Sequence, residues 1–358
     1  MIRNVAARRA VVASFLIPLV LAGCARPQEG SPSAGAPSGA GEQRVKEAPG
    51  SGPECARAAY GIPPGDLKTL KVGFSQSEKE ANPFRITETQ SLKDEAAKRG
   101  ITLLATNAQS QLPKQIADIQ SLLSQGAQVL VVAPLNSTGL EPALAAARAK
   151  NVPVLTIDRT LDGARPCQDY LTTIVSDFVD QGKRAAEAMA KATGGNGRVA
   201  ILLGSSGNNV TTDRTKGFKD YAAANAPGLQ VVAEQTGEFQ REKGKTVTEQ
   251  LIQANPGLTA IYAENDEMAL GAVAALKAAG KKPGQDVKIV TVDGTREAVQ
   301  GVVNGEIAAV IESNPRFGPI VFDTYQKFYA DTPVPSKIII SDHAYDQGNA
   351  AQGLSTAY

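Results

Sequence analysis

Acidic and basic side chains stand at the ends of short apolar runs in this sequence, and the pattern repeats. Asp158-Arg159 closes the run 154–158, Asn265-Asp266 follows 260–263, Asp293 ends 288–293, Glu312 ends 308–311, and Arg214 opens a helical stretch after the 204–209 loop. A carboxylate accepts hydrogen bonds from hydroxyls, a guanidinium donates to hydroxyl and ring oxygens, and ionised partners make such bonds shorter and stronger. Phe84 and Phe239 lie in polar loops after strand-like runs, where a flat ring could stack on the C–H face of a sugar. Blander readings compete: a surface ion pair at Asp158-Arg159, a plain turn at Asp293-Gly294, a helix cap at Asn265-Asp266, core positions for both phenylalanines. At Asn265-Asp266 both roles are expected, with Asn265 at a ligand and Asp266 structural. Bond-breaking chemistry has less to work with. His343 is the single histidine, so no two-histidine metal site can form and a Ser-His-Asp triad would have to use it. In the C-terminal tail it reads as a solvated bystander. Gly204-Ser205-Ser206-Gly207 lacks the Gly-Lys-Ser/Thr of a phosphate loop. Asp158, Glu312 and Asp293 could be drawn as a glycosidase acid/base set, but Arg159 and Arg214 would hold them ionised. No metal and no cofactor is implied.

Those residues need elements to carry them. From residue 70 onward, β-branched runs at 70–75, 102–106, 129–134, 154–158, 172–176, 199–204, 229–236, 260–263, 288–293 and 308–313 alternate with amphipathic stretches such as 87–99, 179–191, 212–224 and 267–279. Val129-Leu130-Val131-Val132 and Ile289-Val290-Thr291-Val292 are apolar without alternation, as parallel strands buried under helices on both faces are. Alternating strand and helix predicts right-handed βαβ units and an α/β fold of doubly wound parallel sheets. The 358 residues exceed one ordinary core, and 42% hydrophobic residues exclude a disordered chain. We therefore expect two doubly wound parallel-sheet lobes joined by a three-crossing hinge, near 173–178, 312–314 and 333–337. The expected partition is 54–174 plus 314–335 in an N-terminal lobe and 175–313 plus 336–358 in a C-terminal lobe with its tail. Ligands in such folds sit beyond the carboxyl ends of the strands, and two facing lobes can share one cleft.

The first two dozen residues read as an address. Arg3, Arg8 and Arg9 precede an apolar stretch, 10–22, too short for a permanent span. It closes in Leu21-Ala22-Gly23-Cys24, which resembles the lipobox of bacterial lipoproteins, whose cysteine is acylated. Residues 1–24 are expected to be a lipoprotein signal peptide, with Cys24 the lipid attachment. Its loss would turn the formal charge of +1 into about −2. Residues 25–53, rich in Gly, Pro, Ser, Ala, Glu and Gln, are expected to be a flexible tether. The implied location is the cell envelope, either lipid-anchored to the outer face of the cytoplasmic membrane or periplasmic. Lys+Arg of 37 against Asp+Glu of 36, with no basic block, excludes nucleic acid as a partner. In an oxidising compartment the two remaining cysteines, Cys55 and Cys167, are expected to pair.

Several stretches carry a family resemblance. Val72-Gly73-Phe74-Ser75, Asn82-Pro83-Phe84, Asp158-Arg159, Asp213-Arg214 with Lys216-Gly217-Phe218, Asn265-Asp266-Glu267-Met268-Ala269-Leu270-Gly271 and Asp293-Gly294-Thr295 resemble the periplasmic sugar-binding proteins of ABC importers, over residues 70 to 340. The nearer likeness is to the ribose-binding type and its galactofuranose-binding relatives. The resemblance implies that Asp158, Arg159, Arg214, Asn265 and Asp293 hydrogen-bond a sugar and that Phe84 and Phe239 sandwich it, with Asn209 in the same ligand set. It also departs from the ribose pattern. Arg85 stands where a second aromatic follows in that pattern, Ala133 replaces an asparagine, Ser313 beside Glu312 falls where a glutamine is expected, and the loop 76–81 is longer. Arg85 and Glu312 suit a sugar with more exocyclic hydroxyls, such as a hexofuranose. The implied partners are a monosaccharide and a membrane ABC permease, with the receptor a monomer. A receptor coupled to a sensor kinase is the alternative that one sequence leaves open.

Overall fold

The computed structural model describes residues 44–46 and 52–358. The expected signal peptide and Cys24 lie outside the described residues, as does most of the expected tether. Chain order begins β1 (Arg44–Lys46), β2 (Glu54–Cys55), β3 (Lys71–Gln76), α1 (Pro83–Arg99), β4 (Thr102–Asn107), α2 (Leu112–Ser124), β5 (Val129–Val132), α3 (Glu141–Ala149), β6 (Val154–Ile157) and β7 (Thr172–Ser176). It continues α4 (Phe178–Thr193), β8 (Gly197–Leu203), α5 (Asn209–Asn225), β9 (Leu229–Thr236), α6 (Arg241–Ala254), β10 (Ala260–Ala263), α7 (Asp266–Ala278), β11 (Lys288–Asp293), α8 (Arg296–Val303) and β12 (Ala309–Glu312). The last elements are α9 (Gly318–Tyr329), β13 (Val334–Pro335), β14 (Lys337–Ser341), β15 (Ala344–Asp346) and α10 (Ala350–Gly353).

Among the described residues two large sheets form, one per lobe, beside a two-stranded antiparallel pairing of β2 with β13. The first has seven strands in the order β1-β14-β7-β6-β5-β3-β4, the second six in the order β15-β12-β11-β10-β8-β9. Inside each sheet neighbouring strands are parallel, and one antiparallel strand closes an edge: β1 on β14 and β15 on β12. Strands β5, β6, β7, β10 and β12 are buried at every position, because helices cover both faces. Each sheet accordingly separates two apolar layers. One layer of the first lobe gathers Phe74, Leu92, Phe322 and Phe328, the other Leu122, Leu130 and Leu144. In the second lobe the layers are built around Ile261, Ile289 and Val299 on one side and Ile201, Phe218 and Tyr262 on the other.

Two sequence expectations need correction. The third crossing does not fall at 333–337, because β14 pairs parallel with β7, Lys337 opposite Thr173 through Ile340 opposite Ser176. Residues 337–341 thus belong with the first sheet, and the chain leaves for the second at Asp342 and His343. Part of the expected tether is also structured: β1 pairs with β14, and the carbonyl of Pro53 accepts from the amide of Ser336. The three crossings are laced together. Gln181 donates to the Glu312 carbonyl and to Asp342, and Arg184 donates to the carbonyls of Asp342 and His343. A disulfide joins Cys55 to Cys167, Cα atoms 5.0 Å apart, tying β2 to the loop after β6. Among the described residues no helix is long and apolar enough to cross a membrane.

Candidate functional site

A pocket opens between the lobes, walled at the carboxyl ends of strands from both sheets. The first lobe supplies Glu78, Asn82, Phe84, Arg85, Asp158 and Arg159, and the second Val210, Arg214, Phe239, Asn265 and Asp293. Local sequence explains each placement. Asn82 caps α1 by accepting from the Arg85 amide at 2.9 Å, with Pro83 in the first turn, so Phe84 and Arg85 emerge at the cleft end. Asn265 caps α7 by accepting from Met268, while its amide donates to the Phe239 carbonyl. Gly204 lets the Phe239 ring rest on the strand end, since a Cβ there would lie 1.9 Å from the ring's Cζ. Gly182 and Gly217 let α4 and α5 pack backbone to backbone, which brings Arg214 beside Gln181.

Three pocket residues other than glycine hold positive φ: Asp158 at 68°, Phe239 at 58° and Asp293 at 143°. Such backbones persist only where the surroundings fix them, and they gather at ligand sites. Asp158 is fixed by its amide, which donates to the Ile174 carbonyl at 3.0 Å. At Asp293 the carbonyl accepts from Ser313, and the buried Asp266 carboxylate accepts from the amides of Gly294 and Thr295 and from the Thr295 hydroxyl. Asp266 is therefore structural, as its position suggested.

Charge in the first-lobe wall is concentrated in one buried cluster. Arg85 donates from Nε to Glu78 at 3.2 Å and from Nη1 to Glu88 at 2.8 Å, and its Nη2 lies 2.8 Å from Asp158. Arg159 donates to the carbonyls of Pro134 and Leu135 and, at 2.6 Å, to Glu78. Its Nε is buried without a hydrogen bond, 3.6 Å from an Asp158 oxygen that is itself unsatisfied. Burial alone would raise Glu78, but Arg159 and Arg85 outweigh it and hold the carboxyl at about 2. Burial pushes Glu88 up to about 7 despite Arg85. In the second-lobe wall Arg214 donates to Gln181 and to the Glu264 carbonyl, and its Nη2 lies 3.9 Å from Asp293. Burial, and then the neighbouring Asp266 carboxylate, raises Asp293 well above the usual range. Among the described residues no group of His, Cys, Asp and Glu could hold a metal ion.

The structure brings together Phe84, Arg85, Asp158, Arg159, Arg214, Phe239, Asn265 and Asp293, and it leaves two expected residues outside. Asn209 does not line the pocket. Its Oδ1 accepts from the Thr160 amide of the opposite lobe at 3.1 Å, and its backbone N–H donates to Ser137 Oγ at 3.0 Å. Glu312 sits at the hinge, where it accepts from the His343 amide and the Tyr345 hydroxyl. The strand end aims it at the returning chain instead of the cleft. Sequence reasoning missed Glu78, although the length of the loop 76–81 pointed to the segment that carries it.

Comparison with known proteins adds to this geometry. A family model described as periplasmic binding protein domain matches residues 72–317. The chain is 37% identical over 276 residues to the galactofuranose-binding protein YtfQ of Escherichia coli (strain K12), covering 76% of this chain and 86% of that one. It is 35% identical over 251 residues to the ribose import binding protein RbsB of Bacillus subtilis (strain 168), covering 70% and 78%. The binding component of the arabinose ABC transporter from Shewanella sp. ANA-3, solved with α- and β-L-arabinofuranose, matches with a TM-score of 0.76 at 36% identity, covering 79% of this chain and 94% of that one.

Proposed function

The chain belongs to the periplasmic binding protein domain family, and from that premise we propose that it is an extracytoplasmic receptor that closes on a monosaccharide and delivers it to an ABC importer. The observation that carries this reading is the pocket itself, walled by hydrogen-bonding groups of both lobes. Only a closed molecule lets one ligand bond both walls, so the ligand's extra contacts favour closure. Galactofuranose, ribose and arabinofuranose are named for the relatives, and we assign a furanose-form pentose or hexose here. Asp158, Arg159, Arg214, Asn265 and Asp293 would hydrogen-bond its hydroxyls, with Phe84 and Phe239 stacking on its ring faces. The relatives are binding proteins and not enzymes, and the receptor has no catalytic step. Residues 1–24, Cys24 and the segment that follows suit a monomeric lipoprotein held at the outer face of the cytoplasmic membrane, its closed surface being what the permease reads.

The test is differential scanning fluorimetry with L-arabinose, D-ribose, D-galactose and D-fructose. At least one should raise Tm by mass action. Asp158→Ala should abolish that shift while still unfolding cooperatively; a retained shift removes Asp158 from the site.

A further inference from the structure

We propose that Glu78 makes this arginine-rich pocket select uncharged sugars and reject sugar acids and sugar phosphates, a specificity that rests on the receptor reading and deepens it. Arg85, Arg159 and Arg214 all line the pocket. Guanidinium forks are what proteins use to bind carboxylates and phosphates, so Arg85 and Arg159, side by side in the first-lobe wall, would favour an anion if left unpaired. The Glu78 carboxylate takes the place of such an anion. One oxygen accepts from Arg85 Nε at 3.2 Å and the other from Arg159 Nη2 at 2.6 Å, bridging two arginines 74 residues apart. With Glu78 in place, the remaining Arg85 nitrogens face Glu88 and Asp158, and Arg159 Nη1 is shared by two carbonyls. Arg85 Nε and Nη1 and both Nη atoms of Arg159 thus donate to protein acceptors, and Arg85 Nη2 lies 2.8 Å from Asp158. A sugar hydroxyl can still donate to these carboxylates. An anionic ligand can donate nothing from its charged group and would meet a carboxylate that already holds the guanidinium pair. Glu78 stands in the wall itself, its side chain 16% exposed, and stays ionised at neutral pH because the two arginines outweigh its burial.

Isothermal calorimetry of the full chain tests this with D-galacturonate and D-ribose 5-phosphate, beside neutral D-galactose and D-ribose. The wild type should bind the anions negligibly, and E78Q should gain affinity for at least one by about tenfold or more, since the amide keeps an acceptor and removes the charge. E78A should gain likewise and serves if the glutamine variant does not fold. E80Q, at an exposed position beside it, should gain nothing. Unchanged anion affinity in a folded Glu78 variant overturns the proposal, as does a wild type that binds an anion as tightly as its neutral counterpart. A wild type that binds no neutral sugar, while E78Q still gains the anion, counts against the receptor reading and leaves the role of Glu78 standing.

Discussion

Arg85 touches three carboxylates, and sequence spacing announces only one of them. Glu88 lies one helical turn on, but Glu78 and Asp158 arrive from separate loops. That is why Asp158-Arg159 was legible, as an acid and base at a strand end, while Glu78 was not: in Glu78-Lys79-Glu80 it reads as a solvated charge run, and its partner Arg159 is 81 residues away. Asn209 and Glu312 stand outside the pocket lining for a related reason. Position at a strand or helix end says that a side chain is near the cleft, and only the opposing backbone decides where it bonds. The buried acids give the residue scale a pH signature. Burial lifts Glu88, Glu264 and Asp266 to about 7, whereas unfolded they titrate near 4. Their share of stability is complete below the unfolded value and is lost as pH rises through 7. Glu78, held at about 2 by Arg159 and Arg85 against its burial, acts oppositely, and its share is lost as pH falls from about 4 towards 2. Tm measured without ligand should therefore be higher at pH 5 than at pH 8 and fall again below pH 4. A Tm climbing steadily from pH 5 to pH 8 would show that these carboxyls are not buried as described.

At the scale of elements, the strands read most easily were those buried on both faces, because an unbroken apolar run such as 129–132 has few other uses. β14 escaped notice. Its Ile338 and Ile340 are buried while Lys337, Ile339 and Ser341 are half-buried, so it has neither a full apolar run nor a clear alternation of polar and apolar residues. β1 is a three-residue edge strand within polar, Pro- and Gly-rich sequence, where composition alone argues for a tether. The Cys55–Cys167 bond ties β2 to the body across a sequence separation of 112. Closing so long a loop constrains the unfolded chain most, so Cys55→Ser with Cys167→Ser should cost about 2–4 kcal/mol in urea unfolding, with the sugar response retained. An unchanged midpoint would mean that β2 is held by its pairing with β13 alone.

For the whole molecule, the length and the alternation of elements already required two lobes, whereas their closure is visible only in the structure. The Ser137 amide donates to the Gly207 carbonyl, and Asn209 links to both Ser137 and Thr160, so the lobes bond each other directly beside the pocket. Asn209→Ala removes one acceptor from that contact and should weaken sugar affinity several-fold, about 1 kcal/mol, with a larger ligand-free radius of gyration by small-angle scattering. Equal affinity and equal radius would show that the contact does not bias closure. As a receptor, the molecule should hold one sugar between both walls and release it unaltered. Equilibrium dialysis against L-arabinose, D-ribose, D-galactose and D-fructose, with the recovered sugar identified by chromatography, tests it most directly. Saturable binding of at least one of them is expected, one sugar per chain, returned unchanged; no retention of any of the four, together with hydrolysis of an aryl glycoside, would rule a receptor out.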